Sequence, residues 1–162
     1  MTRAKDANPA KRARIGAAVA LATVLLSLSC NGPVLAGDAA MEVKSALTQW
    51  MADFNAGKRD RVCDLFAPDV RADYRGYPTR DHQAVCDLLI KSLTDSTRAF
   101  SYALDIKEVL ILGDVAVVRL VWTLTIEEKD GREFKSVEPG MDIFRRQADG
   151  SWKIVRYMAY EE

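Results

Sequence analysis

Three turn dipeptides, Gly113-Asp114, Asp130-Gly131 and Asp149-Gly150, divide the C-terminal part of the chain into runs rich in Val, Ile, Trp, Tyr and Phe. Such dipeptides supply the backbone freedom of tight hairpin turns, so from about residue 99 the sequence predicts four strands joined by three hairpins. The resulting antiparallel meander has two faces, and an apolar face must be covered by something. The cover lies upstream. Val43, Ala46, Leu47, Trp50, Met51 and Phe54 recur at helical spacing, with Asp38 as a cap and Gly57 as the stop. A shorter helical segment, 60–67, carries Val62, Leu65 and Phe66 and ends at Pro68. After a loop, 69–78, with Tyr74 and Tyr77, a third helix is expected from Thr79, burying Val85, Leu88, Leu89 and Leu93. Helices first and strands afterwards is the α+β order. The expected fold is therefore three N-terminal helices packed in the concave face of a curved, mainly antiparallel four-stranded meander. Pro139-Gly140, inside the third strand, predicts a bulge there.

Residues 1–36 read as a secretory signal. Arg3, Lys5, Lys11, Arg12 and Arg14 face the single acid Asp6, an apolar run follows over 15–28, and Val34-Leu35-Ala36 supplies small residues for cleavage. The apolar run is shorter than the roughly 20 residues that span a bilayer, which disfavours a retained anchor. Cleavage near Ala36 makes 37–162 one domain, secreted or periplasmic. The full chain carries 23 basic and 23 acidic residues; removal of five bases and one acid leaves 18 against 22. That acidic balance disfavours nucleic acid and anionic membranes as partners. The alternative is a lipoprotein anchored at Cys30, which follows Leu28-Ser29, and only then is a membrane contact expected.

Cys63 and Cys86 are the thiols that remain after cleavage. In an oxidising compartment the expectation is a disulfide between them, with two buried free thiols as the alternative. Together with His82 they offer at most three metal ligands, so neither a metal nor a cofactor is expected. No phosphate-cradling glycine loop or nucleophile elbow is present.

The segments Phe54-Asn55-Ala56-Gly57, Leu65-Phe66-Ala67-Pro68-Asp69-Val70, Gly113-Asp114-Val115-Ala116-Val117-Val118, Met141-Asp142-Ile143-Phe144 and Asp149-Gly150-Ser151-Trp152-Lys153-Ile154 follow one another in an order and spacing that resembles the nuclear transport factor 2-like superfamily. This cone-shaped fold includes SnoaL-like polyketide cyclases and ketosteroid isomerases. The resemblance implies pairing through the sheet into a homodimer. For a ketosteroid isomerase it also implies a tyrosine on the first helix, a protonated aspartate on the third strand and an aspartate base after the second helix. Trp50 falls near the first of these positions and Tyr74 near the last, with Asp73 displaced by one residue; Asp142 alone matches.

Residues equidistant from a hairpin turn lie opposite one another. Counting outward from each dipeptide places Glu108 beside Arg119, Arg119 beside Asp142, and Asp142 beside Tyr157, a polar row across four strands. In the functional reading this row floors a pocket under Trp50, Phe54 and Tyr74, with Asp142 as the catalytic candidate. In the structural reading Arg119 neutralises Glu108 and Asp142, which keeps Asp142 ionised. The opposite face carries Val109, Val118, Leu120, Trp122, Met141, Ile143, Met158 and Tyr160, interrupted by Lys107 and Arg156, and is expected to pair with a second copy. The function expected is binding of a small, partly apolar molecule or an accessory envelope role. An acid–base isomerase, cyclase or hydrolase using Asp142 and a structural dimer with a filled interior are the alternatives.

Overall fold

The structure, a computed structural model, describes residues 36–162; the signal and Cys30 lie outside the described residues. The elements run α1 (Ala36–Asn55), β1 (Phe66–Tyr74), α2 (His82–Thr94), β2 (Arg98–Leu112), β3 (Val115–Glu128), β4 (Glu133–Arg146) and β5 (Trp152–Ala159). The four predicted strands form an antiparallel meander, and β1 adds a fifth, parallel to β5, giving the order β1-β5-β4-β3-β2. Two expectations fail in the same stretch. Residues 60–65 form turns and 66–67 open β1, rather than a helix, and the loop expected over 69–78 is largely strand. A segment of this length cannot offset the cost of helix nucleation, whereas Val70 and Ala72 alternate with exposed Arg71 and Asp73 in the two-residue period of a half-buried strand. Pro68 sits where the β1–β5 register is interrupted, between Phe66 and Arg71, and so removes no ladder bond.

α1 buries Ala39, Val43, Leu47, Trp50 and Phe54 along one stripe against the sheet. It ends as the sequence predicts. Gly57, at φ 69°, donates to the Phe54 carbonyl and Lys58 to that of Asp53, closing the last turn around a left-handed residue. In that last turn, the Asn55 side chain donates to the Tyr102 carbonyl and accepts from the Tyr102 N–H, both at 2.8 Å, and so pins α1 to β2. α2 starts three residues later than expected. Its cap is Asp81, whose carboxylate accepts from the Ala84 N–H at 3.0 Å, while Thr79 bonds Asp73. Leu88, expected in the core, is exposed, and Val85, Cys86 and Leu89 carry the buried face.

The hairpin turns fall at the three predicted dipeptides, but only the first is a two-residue loop. At the second, Glu128 donates to Arg132 and Gly131 to Glu128, which makes a three-residue loop with Gly131 at φ 86°. The extra residue shifts the β3–β4 register by one, so Arg119 faces Met141 and Asp142 faces Val118. The third turn also carries an extra residue, offset by a bulge at Val155 that restores Asp142 opposite Tyr157. β4 runs unbroken past Pro139, so the expected bulge at Pro139-Gly140 is absent. Gly140 is instead a close approach: a Cβ there would lie 2.9 Å from the Met158 carbonyl oxygen.

A disulfide joins Cys63, before β1, to Cys86 on α2, with Cα atoms 5.5 Å apart. Thiol titration of the oxidised, denatured protein is expected to find no free thiol at these two positions. Reduction should lower unfolding free energy by about 3.5 kcal/mol, as closure of a loop of this length predicts; an unchanged denaturation midpoint after reduction contradicts that role.

Candidate functional site

The one-residue shift in the β3–β4 register splits the expected polar row into two pairs on opposite faces. Glu108 and Arg119 remain neighbours, with Arg119 Nη1 3.5 Å from Glu108 Oε2, but both are exposed on the outer face and neither lines the cavity. Asp142 and Tyr157 lie opposite one another on the inner face. The same shift corrects the assignment of faces: Val118, Leu120 and Trp122, expected outside, are buried core residues, and a bulge at Lys107 turns Val109 inward as well. Met141, Ile143, Met158, Tyr160 and Arg156 stay on the outer side as expected, with Met158 64% exposed.

Between the helices and the inner face lies a cavity of about 450 Å³. Trp50, Phe54, Tyr74, Asp142 and Tyr157, five of the expected pocket residues, line it. Its apolar wall is an aromatic cluster in which Trp50 meets Trp122 at 5.3 Å, Tyr102 meets Phe54 at 4.9 Å, and Tyr102 meets Trp122 at 5.6 Å between ring centroids. The Trp50 indole N–H donates to the Val62 carbonyl at 2.8 Å. Trp50 therefore offers the cavity a ring face and no donor.

Asp142 is 1% exposed, and its Oδ1 has no hydrogen-bond partner. No arginine neutralises it, contrary to the structural reading of the row. Burial alone pushes its carboxyl from the ordinary 3.8 up to about 8, because an isolated carboxylate is poorly solvated there. At neutral pH Asp142 is a mostly protonated acid, the state in which it can donate a hydrogen bond. The Tyr157 phenol opposite is held well above its ordinary value by burial and then by the charge of Asp142.

Sequence reasoning missed Glu138, Ser136 and Tyr102, all of which line the cavity. Glu138 is 7% exposed and accepts from the Ser136 hydroxyl at 3.2 Å. Its pKa is raised by burial, a shift partly opposed by Ser136 and the Tyr74 phenol. The available signal was parity: Glu138 lies four residues before Asp142 on one strand, and so on the same face. His82 lies with its Nδ1 3.7 Å from Cys86 Sγ. Among the described residues no three His, Cys, Asp or Glu side chains converge as a metal site.

The chain folds a mixed sheet over two helices around this cavity, and the SnoaL-like domain model matches residues 47–157. The chain belongs to the SnoaL-like family. Its fold is similar to a ketosteroid isomerase-like protein from Erwinia carotovora atroseptica (22% identity, TM-score 0.63, covering 75% of this chain and 95% of that one). It is also similar to a nuclear transport factor 2-like protein with a cystatin-like fold from Novosphingobium aromaticivorans (18%, 0.62, 80% and 92%). A conserved protein from Planctomyces limnophilus gives 16%, 0.66, 75% and 94%. At these identities the likeness is one of fold. No curated protein matches the chain in sequence.

The raised carboxyl has a measurable consequence. A folded-state pKa above the unfolded value favours the folded state fully below about pH 4, and that contribution is lost as pH rises to about 8. The wild-type urea midpoint should fall between pH 4 and 8, and Asp142→Asn should flatten most of the slope. Glu138, raised in the same direction, adds to the fall, while the lowered carboxyls of Glu42, Asp53, Asp69 and Asp149 oppose it at the acid end. Equal slopes for wild type and variant would show Asp142 to be solvated in the folded state.

Proposed function

We propose that this domain binds a small, partly apolar molecule in the cavity and holds its carbonyl or hydroxyl oxygen through neutral Asp142. One observation supports this above the rest: a fully buried carboxyl group that lines the cavity has an oxygen that no protein group satisfies. Leaving such an atom unmatched is costly, and a ligand group offsets the cost. The aromatic wall buries the apolar part of the ligand, as in most small-molecule pockets. The acid–base alternative uses the same residue. An acid with a pKa of about 8 is poised to give a proton near neutral pH, which suits isomerisation, cyclisation or hydrolysis of a bound carbonyl compound.

The test uses 4-ethylacetophenone, a neutral aromatic ketone that only accepts hydrogen bonds, followed by quenching of Trp50 and Trp122. Wild-type affinity should fall as pH rises through about 8, where Asp142 loses the donated proton. Glu138, Tyr74, Tyr102 and Tyr157 also face the cavity, so the assignment rests on variants. Asp142→Asn should bind with no such pH dependence, and Asp142→Leu should bind about tenfold more weakly. No binding at millimolar ketone, or pH-independent binding by the wild type, excludes this reading.

For the outer face, the proposal is pairing with a second copy. Leu110, Val117 and Ile143 adjoin across strands, as do Met141 and Met158, and the exposed side chains of Leu110, Met141 and Met158 make this face apolar. The copy that covers it need only present the same patch about a twofold axis. Light scattering at micromolar concentration should give a dimer, and Met141→Lys/Met158→Lys a monomer; a monomeric wild type refutes the pairing.

A further inference from the structure

The cavity has a second polar pole that Asp142 does not explain. Glu138 is buried, faces the cavity, and, among the described residues, has no lysine or arginine within ion-pair distance. Its polar neighbours are hydroxyls, Ser136 and the Tyr74 phenol, so no opposite charge compensates it. Across the sheet its partner is Trp122, and the rings of Tyr102, Tyr74 and Tyr77 also border the cavity. A carboxylate set among electron-rich ring faces is the pattern that binds organic cations, since both attract positive charge and both are desolvated. The balance of charge on the lining points the same way: with Asp142 neutral, Glu138 and Glu161 stand against Arg80, which stacks on the Tyr77 ring at 5.2 Å.

The separation of the poles sets the length of the ligand. Glu138 and Asp142 are four residues apart on one face of β4, about 13 Å of strand. Gly140, between them on that face, contributes no side chain. The interval suits one flat ring with a short arm.

Building on the binding function proposed above, we infer that the cavity takes an elongated aromatic amine, its oxygen acceptor held at Asp142 and its ammonium group held by Glu138 against the Trp122 and Tyr102 rings. Asp142 sets orientation and Glu138 selects charge.

Three probes that share one ring and one ketone separate the two poles: 4-(2-aminoethyl)acetophenone, neutral 4-ethylacetophenone and anionic 3-(4-acetylphenyl)propanoate. At pH 7 the amine should bind the wild type at least about tenfold more tightly than the neutral ketone, and the anion more weakly than either. Glu138→Gln, which keeps shape and removes charge, should equalise amine and ketone while leaving ketone affinity within about twofold. Asp142→Leu should weaken amine and ketone by the same factor and keep their ratio. Equal affinity for amine and ketone in the wild type overturns the cation assignment and leaves the ketone site intact. A preference for the amine that survives Glu138→Gln also overturns it, by placing the charge elsewhere. Failure of all three probes to bind removes both this inference and the binding function beneath it.

Discussion

The register between β3 and β4 decides what this protein can do, because it determines which acids enter the cavity. A sheet residue points to one side or the other, and a shift of one position exchanges the two sets completely. Here the shift is set by the three-residue loop around Asp130 and Gly131, which holds Glu128 against Arg132. With that loop, Asp142 and Glu138 face the helices and Arg119 faces outward. A two-residue loop at the same place would put Arg119 beside Asp142, neutralise it and keep it ionised. The charge state of the site is thus a consequence of turn geometry more than ten residues away along the strand.

Much of the architecture was legible. Helical spacing located α1 and its glycine stop, the turn dipeptides located all three hairpins, and the family followed from the order of short segments. The site was legible only in part, for identifiable reasons. Asp142 was correctly paired with Tyr157, though by compensation: an extra turn residue and the Val155 bulge cancel, and neither leaves a sequence signal. Arg119 was misplaced because Asp130-Gly131 is compatible with two loop lengths that differ by one residue. β1 was overlooked because Pro68 and Asp69 resemble the end of a helix, and its pairing with β5 is a non-local contact that no local pattern encodes. Glu138 was masked by its neighbours, since Pro139-Gly140 looks like an interruption when β4 in fact continues through it.

Stability and the proposed function pull against each other at the two buried carboxyls that line the cavity. A domain of this size gains most of its stability from burying apolar surface, and each uncompensated acid in the interior reduces that gain. The cost is lowered at Asp142 by protonation and at Glu138 by the Ser136 hydroxyl. Neither remedy removes it fully, as the unmatched Oδ1 shows. The ligand proposed above would complete both.

Because Trp50 commits its indole N–H to the Val62 carbonyl, the first helix gives the cavity a contour without polarity. The acids and phenols that face it, Tyr74, Tyr102, Glu138, Asp142 and Tyr157, come from the strands. Resculpting that helix would therefore change the size of guest the proposed cavity admits, while the polar groups on the strands stay where they are.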